Sequence, residues 1–323
     1  MDNDSSGAAI ARVRRLWALA GAWAHAWLPA LRRGGQVLLS LLAVIFAASL
    51  CSFVTINQPI LRVIYDGVAS FLDFLVHLGS FWSEVGGLVV SAYWHSLLVL
   101  ALSIGVGLLV GVPIGFAAGL KPHWLTSKLL RFLSYVGTMA PSFLVALFIM
   151  IFFVLYVLPL TCIRFILLSS QSEAFDPRRL APIALTLAVR PAAFFTSAIA
   201  AASRNAMSRD YVRTARSKGL SERLVVIRHI WPNVWPAALD GIPAALLFSV
   251  SSLPIVEFVF NWPGVGQQLL FGIVARPRPG IPAAAYVSFL LASIGATYVL
   301  VALAVENLHG RADPRLAGRL RDE

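Results

Sequence analysis

Charged residues are scarce in this sequence. They make up 13% of its 323 residues, whereas hydrophobic residues make up 59% and the mean hydropathy is +0.79. These values are typical of a chain that crosses a membrane several times. The net charge of +11 would suggest nucleic-acid binding in a soluble protein. Here the cations lie between apolar runs, so membrane orientation explains them better, and no nucleic-acid partner is expected.

Nucleotide-binding, metal-binding and disulfide motifs are also lacking. No G-x-x-x-x-G-K-[ST] motif occurs, and none of the three lysines follows a glycine. Binding of ATP through a phosphate-binding loop is therefore excluded, and any energy must come from a partner. The two cysteines, Cys51 and Cys162, form neither a disulfide framework nor a metal site, and we expect buried thiols, with a single bridge as the alternative. No nucleophile–base arrangement lies in the apolar runs, so we expect no catalytic residue, no metal and no cofactor on this chain.

Apolar runs predict an all-α membrane protein with six membrane-spanning helices. The predicted spans are approximately 36–56, 91–120, 132–160, 180–202, 237–260 and 281–305. Each is long enough to cross a hydrocarbon core of about 30 Å. Nineteen of the 26 Lys and Arg residues fall in segments that would face the cytoplasm, and six fall in outer segments. Because cytoplasmic segments are richer in Lys and Arg, both termini are predicted to be cytoplasmic.

The N-terminal part leaves two pairs of alternatives open. Residues 1–35 contain LWALAGAWAHAWLPAL between arginine groups, and its tryptophans suit an interfacial helix. A signal peptide cleaved near Ala24–Ala26 is the alternative. Residues 62–84 include an amphipathic stretch with Asp73 and His77, for which we expect an outer-surface position. An additional span is the alternative, which those polar side chains disfavour.

Glycine and proline mark two of the spans. Four glycines of the second span recur at every fourth residue and should line one face for close helix packing: Gly107, Gly111, Gly115 and Gly119. In the third span, Pro141 should kink the helix. A short cytoplasmic loop with Lys121, Lys128 and Arg131 is predicted between these two spans.

Residues 204–236, here called the basic segment, are the most polar part of the chain. They hold seven cations and two acids between apolar runs, which predicts a cytoplasmic location. Asp210 is predicted to cap a short helix, Tyr211–Lys218, that ends at Gly219 in a left-handed conformation. A second helix should start at Ser221.

Two prolines then predict where that second helix stops. Pro232 and Pro236 are expected to close it before the next span begins. A helical hairpin held between two spans would be a rigid surface for a partner to move.

The basic segment resembles the loop of binding-protein-dependent ABC importer permeases of the dipeptide, oligopeptide and nickel branch. The run DYVRTARSKGLSE holds Arg213, Thr214 and Ala215 where that family has Glu-Ala-Ala. Gly219 and Pro232 stand at the family's glycine and proline positions. The resemblance implies that this loop docks on separate ATPase subunits. The residues it assigns to this contact are Asp210, Tyr211, Arg213, Thr214, Ala215, Arg216, Lys218, Gly219, Leu220 and Pro232.

A second stretch, PIVEFVFNWPGVGQQLL from Pro254, resembles the family's Glu-x-Val-Phe-x-Trp-Pro-Gly-x-Gly motif. Asn261, Pro263 and Gly264 predict a tight turn, with Trp262 anchored at the membrane interface. The N-terminal third and residues 276–282 do not fit the family pattern. The candidates for contact with the transport pathway are Arg190, Glu257, Asn261, Trp262, Pro263 and Gly264.

Arg190 is the one charge near the middle of a predicted span. A charge at that depth costs about 2.5–3.5 kcal/mol on insertion scales, so it should meet water or a partner rather than lipid. One hypothesis is a structural role, in which the Arg190 side chain extends to the outer membrane surface or pairs with Glu257. Contact with the carboxylate of a passing peptide is the other.

The resemblance implies the type I ABC importer permease fold. The apolar runs predict an N-terminal interfacial segment (1–35), a first transmembrane helix with an outer segment (36–90) and a cytoplasmic tail (306–323). The resemblance identifies residues 91–305 as the permease core, with the coupling loop at 204–236.

The resemblance also implies the function and the partners. A permease of this branch carries peptides across the bacterial inner membrane and is not itself an enzyme. Two ABC ATPase subunits would bind ATP with Mg²⁺. A second permease subunit would complete the pathway, and a paralogue is expected rather than a second copy. A periplasmic or lipid-anchored binding protein would deliver the cargo. A nickel chelate as cargo is one alternative, and a self-contained secondary transporter is another.

Overall fold

The computed structural model describes residues 59–76, 78–157, 177–274 and 283–312, together with positions 39, 42, 43 and 46. Every regular element within these ranges is a helix, in agreement with the predicted all-α class. Several expectations fall outside the described residues: those for the N-terminal segment, most of the first span, both cysteines, residues 276–282 and the end of the cytoplasmic tail.

The described ranges contain ten α-helices. In chain order they are α1 (Ile60–Val76), α2 (Leu78–Leu120), α3 (Leu125–Met139), α4 (Ser142–Phe152), α5 (Pro177–Met207), α6 (Asp210–Ser217), α7 (Glu222–Val225), α8 (Trp231–Val259), α9 (Val265–Val274) and α10 (Ala283–Ala312). Two π-helical stretches, Phe153–Val157 and Val226–Ile230, extend α4 and join α7 to α8.

Three described helical stretches are long and apolar enough to cross a membrane. They are Gly86–Leu120, Leu180–Met207 and Glu222–Val259. The pair α3 and α4 meets the same test as one broken span, and Phe289–Val305 within α10 is apolar but shorter. The described residues therefore account for three or four of the six predicted spans, and the full number stays a prediction.

The second span begins earlier than predicted. Its helix starts at Leu78 rather than near Ser91, because no proline interrupts residues 60–112 and Gly86 and Gly87 do not stop a helix by themselves. The amphipathic stretch before it is helical as well, forming α1 up to Val76.

The predicted glycine face is confirmed, and it sets the centre of the bundle. A Cβ on Gly111 would lie 2.5 Å from the carbonyl oxygen of Ala192, and one on Gly115 would lie 2.5 Å from that of Thr196. Gly107 and Gly119 face the same neighbouring helix, α5. The backbones of α2 and α5 approach closely because these four positions lack side chains.

The predicted third span consists of two helices rather than one kinked helix. α3 and α4 meet at an angle of 106° across Ala140 and Pro141, which is a larger change of direction than the predicted kink. Both residues are extended, with ψ values of 128° and 124°. A residue that precedes proline avoids the helical conformation, so Ala140 leaves the helix one position before Pro141 does.

The predicted loop before this span is shorter than expected. Lys128 and Arg131 lie within α3, so the helix begins at Leu125 and not near Phe132. Arg131 donates from Nη2 to the carbonyl of Pro122 at 3.0 Å, folding its charge back over the turn. Polar residues at a helix start therefore do not mark a loop here.

Candidate functional site

The basic segment folds as a short helix, a turn and a second helical stretch. Gly219 follows α6 with a φ of +75°, so the predicted left-handed conformation is confirmed. Its N–H donates to the carbonyl of Arg216 at 2.9 Å. The N–H of Leu220 donates to the carbonyl of Ala215 at 3.4 Å. This pair of bonds is a Schellman motif, which satisfies carbonyls that the helix end would leave unpaired.

One face of the basic segment is buried and the opposite face is cationic. Val212 and Val225 are 0% exposed and pack in a cluster with Ile199 of α5. The exposed cations of the segment are Arg209, Arg213, Arg216, Lys218, Arg223 and Arg228. The segment is therefore anchored to the bundle while its outer surface carries positive charge.

A bidentate ion pair joins the two helical parts of this segment. The Arg216 side chain donates from Nε to Oε1 of Glu222 at 2.8 Å and from Nη2 to Oε2 at 3.1 Å. Both side chains are exposed, so the pair adds little stability, but its two parallel bonds fix the angle between α6 and α7.

Two local predictions about helix starts have different outcomes. The prediction that Asp210 caps α6 is wrong, because Arg209 is the N-cap and Asp210 is the first helical residue, with no side-chain cap bond. Its carboxylate still lies in the first turn, where negative charge is favourable. Ser221 stands at the N-cap of α7 as predicted, although its side chain makes no cap bond.

The prediction that Pro232 and Pro236 end the second helix is wrong. The helical path continues from α7 through the π-helical stretch Val226–Ile230 into α8. Pro232 directly follows the π-helical stretch and Pro236 lies within α8, so neither proline ends the helical path. Residues 222–259 therefore form one continuous helical stretch.

A second turn of the same kind closes the other end of α8. Asn261 has a φ of +47°, and its N–H donates to the carbonyl of Phe258 at 3.1 Å. The N–H of Trp262 donates to the carbonyl of Glu257 at 2.8 Å. The predicted tight turn is confirmed, and asparagine takes the left-handed position that glycine occupies in the basic segment.

The carboxylate of Glu257 is fully buried and caps the next helix. Its Oε1 accepts the Ser96 hydroxyl at 2.6 Å, and its Oε2 accepts the N–H of Gln267 at 3.1 Å. Ser96 Oγ in turn accepts the N–H of Val265 at 2.7 Å. Val265 and Gln267 lie in the first turn of α9, where N–H groups have no intrahelical partner. Ser96 and Glu257 thus tie together α2, α8 and α9.

Two glycines leave the space that this carboxylate fills. A Cβ on Gly264 would overlap the carboxylate of Glu257. A Cβ on Gly266 would lie 2.7 Å from the Cα of Pro254. The Pro-Gly-x-Gly pattern therefore follows from the packing of a buried carboxylate against the start of α9.

Trp262 lies beneath the turn, so its predicted position at the membrane interface is wrong. The side chain is 0% exposed, and its Nε1–H donates to the carbonyl of His95 at 3.3 Å. The two rings meet edge to face with centroids 5.6 Å apart. His95 on α2 is the contact that helps to bury this indole. The residues next to Trp262 in the sequence give no indication of that contact.

Arg190 lies beside the break between α3 and α4 and is half-buried. Its Nε donates to the carbonyl of Thr138 and its Nη1 to the hydroxyl of Ser252, each at 3.3 Å. Its guanidinium carbon lies 5.1 Å from the centre of the Phe248 ring. Glu257, one predicted partner of Arg190, bonds instead to Ser96 and Gln267 among the described residues.

The family model of the binding-protein-dependent transport system inner membrane component matches residues 111–318. The chain belongs to this family. The match covers the basic segment, the whole of α8 and the turn at Asn261, which are the parts whose motifs predicted an ABC importer permease. That prediction is confirmed, and the chain is an inner membrane component of such a transport system.

Relatives of this permease carry names from peptide transport. A putative peptide permease protein of Brucella ovis is 28% identical over 246 residues, which are 74% of this chain and 73% of the relative. The peptide transport system permease protein SapB of Salmonella typhimurium is 24% identical over 313 residues, covering 88% of this chain and 95% of its own length. The oligopeptide transport system permease protein AppB of Bacillus subtilis is 24% identical over 237 residues, 72% of each chain.

A solved structure shares the permease fold. A chain of the MetNI methionine ABC transporter, in an inward-facing conformation, aligns with a TM-score of 0.54 and 17% identity. The alignment covers 71% of this chain and 98% of the other. At that identity the likeness concerns the fold alone, and it supports the type I permease architecture.

The structure separates the predicted site residues of this permease into two groups. Most of the loop residues are exposed between α5 and α8, whereas Ala215 is buried in the cluster that contains Val212 and Val225. The residues Glu257, Asn261, Trp262 and Gly264 lie at the far end of α8. Arg190 belongs to neither group. Sequence reasoning missed the partners Ser96, His95 and Gln267. The pair His95-Ser96 inside an apolar run was the available signal, since buried polar groups require partners.

Proposed function

We propose that this chain is the permease subunit of an ABC importer that carries peptides across the bacterial inner membrane. The observation that carries the proposal is the form of the basic segment, which is anchored by Val212 and Val225, cationic on its outer surface and continuous with α8. A surface of this kind can receive force from a partner and pass it to a membrane span. The names of the relatives support peptides as the cargo.

The assembly would place an energy source on one side of the membrane and a cargo carrier on the other. Two ATPase subunits would contact the basic segment and bind ATP with Mg²⁺, so the chain itself needs no cofactor and has no catalytic residue. A second permease subunit, a paralogue rather than a second copy, would complete the pathway. A periplasmic or lipid-anchored binding protein would deliver the peptide.

The topology we propose keeps both termini and the basic segment in the cytoplasm, with six spans. The unequal distribution of Lys and Arg supports this orientation. Residues 1–35 form an interfacial segment, 36–90 the first span and outer segment, 91–305 the permease core and 306–323 a cytoplasmic tail. α3 and α4 together form one of the six spans.

Transport would follow from movement of the basic segment. Closure of the ATPase subunits would displace α6, and the continuous helical stretch of residues 222–259 would transmit that displacement across the membrane. Rocking of helices around a central pathway then exposes it to one side at a time. The residues proposed at the ATPase contact are Asp210, Tyr211, Arg213, Thr214, Ala215, Arg216, Lys218, Gly219, Leu220 and Pro232.

Copurification with a charge-reversal control tests this assembly. The tagged chain, isolated in mild detergent from its native cells, should bring with it two ATPase subunits and a second permease. Reversal of the loop charge in the double variant Arg213→Glu and Arg216→Glu should remove the ATPase subunits and keep the second permease. Arg62→Glu on α1, an exposed cation outside the segment, should change neither.

Mass spectrometry of the purified complexes gives the readout. Isolation of the chain without any ATPase subunit would contradict the proposal and favour a self-contained transporter. Retention of the ATPase subunits by the loop variant would instead move the contact away from the basic segment.

A further inference from the structure

Arg190 projects from a membrane span without an acidic partner among the described residues. It lies ten residues after Leu180, which places it about 15 Å along the span from that end at 1.5 Å per residue. The side chain is half-buried, so part of it is accessible from the surface of the chain. A charge so placed requires polar neighbours or an ion that arrives during function.

Neutral groups hold the guanidinium in place. The carbonyl of Thr138 accepts from Nε, and the hydroxyl of Ser252 accepts from Nη1, both at 3.3 Å. Thr138 lies in the last turn of α3, where carbonyls lack intrahelical partners and the helix end carries partial negative charge. Phe248 supports the cation from a third side at 5.1 Å. These contacts orient the side chain and stabilise its charge in part, but none of them is an anion.

The group still has donors to offer. A guanidinium carries five N–H donors, and the two bonds above use two of them. The remaining donors favour an oxyanion, which guanidinium binds through two parallel hydrogen bonds. Glu257 is not available for this, since its two carboxylate oxygens already cap α9 through Ser96 and Gln267.

We infer that Arg190 is a binding position on the transport pathway for the free carboxylate at the C-terminus of a peptide. The inference rests on the peptide-import function proposed above and adds a specificity to it. The break at Ala140 and Pro141 shapes the site, because the end of α3 lies there against the middle of α5 and its Thr138 carbonyl contacts Arg190. A peptide with an amidated C-terminus lacks the charge that the site recognises.

The test compares two forms of one peptide in the reconstituted full complex. Uptake of the free acid and of its C-terminal amide is measured for the wild-type protein and for Arg190→Gln. Arg190→Gln should lower uptake of the acid about tenfold or more relative to uptake of the amide. Arg190→Lys, which keeps the charge but not the planar pair of donors, should retain a reduced preference for the acid.

Each other result counts against the inference. Equal loss for both forms of the peptide, in either variant, would show that Arg190 only holds the end of α3. Failure of Arg190→Gln to fold leaves the Arg190→Lys comparison as the deciding one, and an unchanged preference there would overturn the inference. Loss of a bound phospholipid only in the variants, measured by mass spectrometry, would assign the site to a lipid phosphate. Absence of ATP-dependent uptake of either peptide by the wild-type complex would overturn the proposed function itself.

Discussion

Glu257→Ala should be among the most destabilising substitutions in the described part of the chain. It removes the acceptor of the Gln267 N–H and of the Ser96 hydroxyl, both in a region from which water is excluded. An unsatisfied buried donor costs about 1–3 kcal/mol, and the lost side chain leaves a cavity as well. We expect a loss of about 3–5 kcal/mol, which should lower the midpoint of thermal unfolding by roughly 10 °C.

A graded set of variants separates hydrogen bonding from charge. Glu257→Gln keeps an oxygen for the Gln267 N–H and an N–H group that can face Ser96, so its loss should be smaller than that of Glu257→Ala. Ser96→Ala should also destabilise, because Val265 loses its acceptor. Ser251→Ala is the matched control, since among the described residues that exposed hydroxyl bonds only to the carbonyl of Phe248 one turn away.

The measurement is thermal unfolding of the purified variants in detergent, monitored as the amount of protein that remains monodisperse. A midpoint for Glu257→Ala within 2 °C or so of the wild-type value would contradict the capping role. So would equal effects of Ser96→Ala and Ser251→Ala, because only the first removes a cap of α9.

Gly219→Val should uncouple transport while leaving the permease folded. The glycine has a φ of +75°, which a β-branched residue resists, and a Cβ there would meet no atom within 4 Å. The cost of about 1–2 kcal/mol is therefore conformational and not a clash. It should lower the ratio of the native loop conformation to its alternatives by roughly five- to thirty-fold. The uptake per ATP hydrolysed should fall as a result.

Asparagine at the same position supplies the control. Asn261 already holds a left-handed conformation in this chain at φ +47°, so Gly219→Asn should keep the Schellman bonds and most of the uptake. The measurement is peptide uptake and ATP hydrolysis by the same proteoliposomes, with the amount of folded protein determined in parallel. Equal behaviour of the valine and asparagine variants would show that the backbone conformation of Gly219 does not matter.

Features that depend on local backbone rules were predictable from the sequence. Gly219 is such a feature, because a glycine after a short polar helix takes the left-handed conformation without any tertiary contact. The glycine face of α2 was predictable for a similar reason, since residues at every fourth position necessarily share one side of a helix.

Features that depend on distant partners were not predictable. Trp262 is buried because α2 passes beneath it, and the residue it contacts, His95, is 167 positions away. Pro232 does not end a helix, since the π-helical stretch before it continues into α8, and the sequence does not indicate that stretch. The role of Glu257 could be inferred only once its contact with Ser96 was known. A single carboxylate near the end of an apolar span does not identify its partners.

ATP-dependent uptake of a labelled peptide by proteoliposomes that contain the native complex tests the central claim most directly. The account predicts accumulation inside the vesicles that requires the binding protein and hydrolysable ATP, and that falls when Gly219 is replaced by valine. Uptake that proceeds without ATP under an imposed proton gradient, or that is insensitive to the Gly219 substitution, would contradict it.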